Sequence, residues 1–153
     1  MWAVIRVRGS VNISSGIRQT LELLRLEKPH NMVVIDEKTS TKNMVLKVKE
    51  FVTFGEIDEK TFAFLLNKRG RIAGNKRLTS EMLKEIKVHS VDDLAKQVFS
   101  GKKRLKEFGV KEVFRLNSPK KGFDRGGVKK AFSNGGVLGY RGKDINDLIE
   151  KMA

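Results

Sequence analysis

The chain has 153 residues, no cysteine, 39% hydrophobic residues, and 32 Lys and Arg against 18 Asp and Glu, a net charge of +14. This length can bury one core unaided; the missing cysteines exclude disulfides, thiolate metal sites and a cysteine nucleophile, and the hydrophobic share excludes a disordered chain. The charge calls for a polyanionic partner that releases counterions on contact, because balanced thermophile ion pairs would not leave this excess and no long basic amphipathic helix suits a membrane surface.

Residues 2–8 alternate, with Ala3, Ile5 and Val7 on one face and Val4, Arg6 and Arg8 on the other, which predicts a half-buried strand. No signal-peptide run precedes it and no window is long and apolar enough for a membrane span, so a cytoplasmic protein is expected. Ser14 or Ser15 caps a helix carrying Ile17, Leu21 and Leu24, and Pro29 stops it. Met32 to Ile35 reads as a buried strand. Ser40 or Thr41 starts a second helix with Met44, Val48, Phe51 and Val52 on its inner face. Strand, helix, strand, helix implies a sheet with its helices on one face.

Downstream the chain turns helical. Asp58 caps a helix with Phe62, Leu65 and Leu66 inward, and Thr79 or Ser80 opens one through Met82, Leu83 and Ile86. Ser90 begins a third, with Leu94, Val98 and Phe99, closed by Gly101. A late strand is expected at Glu112 to Leu116, ended by Pro119. Gly122 to Gly142 holds seven of the fourteen glycines and reads as an ordered loop. Asp144 caps a last helix with Ile145, Leu148, Ile149 and Met152 as its apolar stripe.

Residues 1–56 carry 9 basic and 6 acidic side chains, residues 57–153 the other 23 and 12, so a net +11 lies downstream. Three segments concentrate it. In Asn67 to Arg77, Lys68, Arg69, Arg71, Lys76 and Arg77 stand without an acid, and Gly70 and Gly74 permit close backbone approach to phosphate. A solvated loop is the plain alternative, and the excess charge favours contact. In Ser118 to Lys130, Lys120, Lys121, Arg125, Lys129 and Lys130 surround Phe123, which either stacks on an unpaired base or anchors the loop on the core. In Phe132 to Gly142, Tyr140 and Arg141 are placed to stack and pair; a nucleotide-binding loop is excluded because no GK[ST] follows. Arg6 and Arg8, one pleat apart on a sheet face free of helices, are expected to address phosphates, the plain alternatives being pairs with surface carboxylates or cover of that face by the glycine-rich segment.

Catalysis leaves no comparable signal. His30 and His89 read as turn residues, Asp36–Glu37 ends a strand, and Asp92–Asp93 suits a helix's first turn. Neither a metal box nor a Ser/His/Asp arrangement stands out.

Several segments together resemble one family: IRQTLELLRL (Ile17–Leu26), VTFGEID (Val52–Asp58), LLNKRGRI (Leu65–Ile72), FRLNSPKKGF (Phe114–Phe123) and NGGVLGYRGKDINDLIEKM (Asn134–Met152). The chain looks like the archaeal branch of the L-thirty family of large-subunit ribosomal proteins, called L-seven in eukaryotes. The resemblance spans nearly the whole chain. It implies one α+β domain, with a ferredoxin-like βαβα core over 1–56, a helical insertion over 57–110, a late core strand over 111–117, and a basic glycine-rich loop with a C-terminal helix over 118–153. It further implies binding to large-subunit ribosomal RNA near the 5S RNA docking region, among neighbouring ribosomal proteins, with no catalytic residue, cofactor, metal, membrane or small-molecule substrate. The rivals are a stand-alone RNA-binding regulator and an RNA-modification factor.

Overall fold

The structure is a computed structural model that describes residues 1–79, 90–101 and 103–153. At its centre lies β1 (Trp2–Arg6), flanked by β2 (Asn31–Ile35) and β3 (Val52–Glu56), with β4 (Val113–Arg115) and β5 (Gly139–Tyr140) outermost. The strand order is β4-β2-β1-β3-β5, every pair being antiparallel except β3 with β5. Five α-helices are described: α1 (Ser15–Leu23), α2 (Thr39–Lys47), α3 (Glu59–Arg69), α4 (Val91–Phe99) and α5 (Ile145–Met152). This is an α+β fold of the ferredoxin-like kind expected, with more sheet and different faces than the sequence pattern implied.

Both faces of the sheet are covered. Val4, Val33, Val52 and Phe54 pack against Leu21 of α1, Leu24 beside it, Val45 of α2 and Val48 just after it. On the other face, Ala3, Ile5, Met32 and Phe114 meet Phe62 and Leu65 of α3, Leu94 and Val98 of α4, and Ile145 and Ile149 of α5. The expected assignment is thereby reversed: the face of Val4 and Arg6 receives α1 and α2, and the face of Ala3 and Ile5 receives the downstream helices. Ala3, Val4 and Ile5 are all completely buried, the pattern of a strand covered on both sides. Each large aliphatic or aromatic side chain so buried contributes about 1.5–3 kcal/mol. Phe62 stands edge-on to Phe114, centroids 6.4 Å apart, and so joins α3 to β4.

Several boundaries also differ. β1 stops at Arg6, since the N–H groups of Val7 and Arg8 both donate to the Phe51 carbonyl. Val7 then packs with Val137 and Leu138 of the glycine-rich segment. Phe51 and Val52, read as the end of α2's inner face, instead make a turn and open β3, paired along all of β1. Helix α2 begins at Thr39, ahead of the expected Ser40 or Thr41. Ser14 and Asp58 precede α1 and α3 without a side-chain cap bond, and Asp144 makes none at α5. Ser90 does cap α4, accepting from the Asp93 N–H at 3.1 Å. Of the helix expected from Thr79 or Ser80 through Ile86, residues 80–86 lie outside the described residues, as does His89.

The strand directions sort the chain's ends. The start of β1, the ends of β2 and β3 and the start of α3 lie together, and Asn146 of α5 ties them: its carboxamide accepts from the Asp58 N–H and donates to the Glu56 carbonyl. Asp36, Glu37, Glu56, Asp58 and Glu59 sit at this end. The opposite end collects the last turns of α3 and α5 and the loop after β4.

Candidate nucleic-acid interface

Helix α3 ends at Gly70, where a Cβ would lie 2.3 Å from the Leu66 carbonyl oxygen, so only glycine lets the chain leave so closely. The chain then reverses. Ile72 N–H donates to Lys76 O and Asn75 N–H to Ile72 O, both at 3.0 Å, with Gly74 and Asn75 in the left-handed region at φ 76° and 62°. Arg71 pairs across this turn with Arg77, Ile72 bridges to Val110, and Lys111 N–H donates to Arg71 O at 2.8 Å. The basic segment read as a loop is therefore a small hairpin docked on residues 110–111. Lys76 and Arg77 are exposed; Arg71 is half-buried.

The second basic segment is equally fixed. Lys120 N–H donates to the Lys151 carbonyl and Asn117 N–H to the Met152 carbonyl, so the loop's backbone satisfies the open end of α5. Arg69 at the end of α3 donates to the main-chain oxygen of Ala153 at 3.3 Å. Two basic segments far apart in sequence thus converge on one helix C-terminus, whose partial negative charge favours cations. Phe123 stacks on His30, with centroids 6.2 Å apart and planes at 13°, and packs on both neighbouring apolar clusters. Of its two readings, the anchor is the one the packing shows. Around it Lys120, Lys121, Arg125, Lys129 and Lys130 are exposed.

The glycine-rich stretch is built backbone on backbone. Gly126 N–H donates to Gly135 O, and Val137 and Leu138 N–H both reach Lys130 O. A Cβ at Gly136 would lie 2.2 Å from that same Lys130 oxygen. This packing holds Lys129 and Lys130 on the outside.

Other candidates go elsewhere. Arg6 is 2% exposed, and its guanidinium donates to the carbonyls of Arg8, Leu26 and Glu27 and to Ser10 Oγ, at 2.6 to 2.9 Å. Burial lowers its pKa from the usual arginine value. The expected open face does not exist, and Arg6 instead clamps the turn after α1. Arg8 lies over the Phe51 ring, 5.1 Å from its centroid, and reaches Glu50 O. Arg141, buried, pairs with Asp124 at 2.6 Å and sits 4.3 Å over Phe132, so it locks the loop from inside. Tyr140 is exposed at the acidic end, where it donates to Glu56 at 2.7 Å, a bond that raises its pKa, and neighbours Trp2 and Phe54. Sequence reading missed Lys111 and Lys151, exposed beside the two segments; only backbone contacts across the fold reveal them.

None of Lys68, Arg69, Arg71, Lys76, Arg77, Lys120, Lys121, Arg125, Lys129 and Lys130 forms an ion pair with a described carboxylate. Unneutralised, several of them long and exposed, on a backbone fixed by glycine turns, they can bind a chain of phosphates. Arg6 supplies a control. Arg6→Met should cost about 2–5 kcal/mol in urea unfolding, since buried carbonyls lose their donor, yet leave the salt slope of RNA binding unchanged; a reduced slope would return Arg6 to the interface.

Residues 2–52 match the family described as ribosomal protein L30p/L7e. Over 151 residues, 99% of this chain and 98% of the relative, the sequence is 52% identical to the large ribosomal subunit protein uL30 of Methanococcus vannielii. It is 48% identical to that of Nanoarchaeum equitans, covering 97% of this chain and 96% of the relative. Against Methanosphaera stadtmanae the figure is 45%, with 99% of both covered.

Proposed function

Because the chain belongs to the L30p/L7e family of ribosomal proteins, we propose that it is a structural constituent of the large ribosomal subunit, and that its two basic segments bind large-subunit ribosomal RNA. The convergence of the Asn67–Arg77 and Ser118–Lys130 segments on the end of α5, with no described carboxylate neutralising them, carries the reading. Rigid backbone and free cations suit RNA recognised by shape and phosphate position. Phe123 supports the loop from beneath, and Arg8 extends the same end of the sheet. The contact is assigned to the region where 5S RNA docks, with other ribosomal proteins alongside and in the cytoplasm.

The chain acts as one domain in this reading. Residues 57–110 are read as an insertion whose described helices α3 and α4 cover the second face of the βαβα core, 111–117 return to the sheet, and 118–153 present the basic loop and close the core. The role is assembly and support of the subunit, without catalysis or cofactor.

Sedimentation of native large subunits tests this. The chain should accompany them at one copy per subunit and survive a salt wash that strips loosely bound factors, because many phosphate contacts are lost together only at high salt. Complete release into the wash would mark a stand-alone regulator.

A further inference from the structure

We propose that the groove at the open edge of β2 is the docking site for an extended segment of a neighbouring large-subunit protein, one in which apolar residues alternate with Asp or Glu. The inference rests on the ribosomal placement above, and it concerns a surface remote from the basic end.

The groove follows from how β4 stops. β4 begins at Val113, opposite Val33, so β2 continues beyond its partner through Val34 and Ile35. Leu116 N–H donates to His30 O, while the His30 N–H turns the other way to Arg6 O of β1; antiparallel alternation then turns the main-chain groups of Met32 and Val34 toward β4. Glu112 lies just ahead of β4, and its carboxylate is held by Arg25. The Val33–Val113 pair is the last of the ladder, so the Val34 carbonyl is left beyond it, beside a cavity of about 630 Å³ that Val34 helps to line. An unpaired strand edge is a template for another strand.

The lining selects the occupant. Leu24, Val34, Met44 and Val98 supply apolar wall, and Leu23 at the mouth is 69% exposed. Lys38, Lys103 and Arg104 line the cavity without an ion pair to a described carboxylate and outnumber its two acids, Asp36 and Glu112, of which Glu112 is paired with Arg25. An extended segment would match this with a main-chain bond to the Val34 carbonyl, apolar side chains inward and carboxylates on the rim. A nucleic-acid backbone would meet the same cations but would set phosphates against an apolar wall and leave the strand edge unpaired.

Photocrosslinking in assembled subunits decides it. The full chain carries p-benzoylphenylalanine at Leu23, or in a second preparation at Met44, and purified large subunits containing it are irradiated. The expected adduct resists ribonuclease, is destroyed by protease, and maps to a segment of one other ribosomal protein with alternating apolar and acidic residues. Adding Lys38→Glu with Arg104→Glu should lower its yield roughly fivefold, as expected for two surface ion pairs. A ribonuclease-sensitive adduct, a crosslink within the chain itself, or no adduct from subunits that hold the chain stoichiometrically would each overturn the groove reading alone. A yield unmoved by the charge reversals would overturn the acidic character of the segment. Subunits that fail to retain the chain at all would overturn the ribosomal placement together with it.

Discussion

Replacing Lys120, Lys121, Arg125, Lys129 and Lys130 by glutamine is expected to lower RNA affinity by about two orders of magnitude and to flatten its salt dependence. Each phosphate contact contributes about 0.7 to 0.9 to the slope of log affinity against log salt, so five lost contacts should remove roughly 3.5 to 4.5 from it. The fold should hold, because all five side chains are exposed and unpaired among the described residues, and such surface changes stay within about 0.5 kcal/mol. Filter binding at several salt concentrations, with circular dichroism as the control, gives the answer. An unchanged slope in a folded variant would leave the loop solvated and move the interface to the Arg71–Arg77 hairpin.

The second large effect needs no change of charge. At Gly136 a Cβ would sit 2.2 Å from the Lys130 carbonyl oxygen and 2.5 Å from its carbon, both main chain. Gly136→Ala must therefore push the two strands of the loop apart and break the bonds that Val137 and Leu138 donate to Lys130. A loss of about 3–4 kcal/mol is expected, with weaker RNA binding because Lys129 and Lys130 move. Its neighbour gives the contrast. Gly135 has φ 75° and open space around a Cβ, so Gly135→Ala should cost only about 1–2 kcal/mol, the strain of left-handed backbone. Thermal melts of the pair separate the two mechanisms, and equal costs would show that the loop yields freely.

The sequence made the class of fold legible because Ala3-Val4-Ile5 and Met32–Ile35 are strongly apolar and most helices carry clean stripes. It hid β3 for a physical reason. Met44, Val48, Phe51 and Val52 continue a helical spacing, and that period overrides a turn with no glycine or proline to mark it. The faces were misread because Arg6 was taken to mark a solvent side. A buried arginine surrounded by main-chain carbonyls looks, in sequence, the same as an exposed one. Arg141 failed similarly: its partner Asp124 lies 17 residues away, a pairing that the turns of the glycine-rich loop create. The exposed lysines were easier, since a basic run without acids has few places to go except outward. For Phe123, the choice between anchor and stacking surface depended on His30, which only the sheet brings near.

The separation of carboxylates at the start of β1 from cations at the end of α5 gives the free protein a permanent electric moment along its strands. In the field of a polyanion such a body experiences torque as well as attraction, and it turns its cationic pole forward before any atom touches. Docking two specific patches is slow chiefly because most encounters arrive misoriented. Here the approach itself would narrow the angular search.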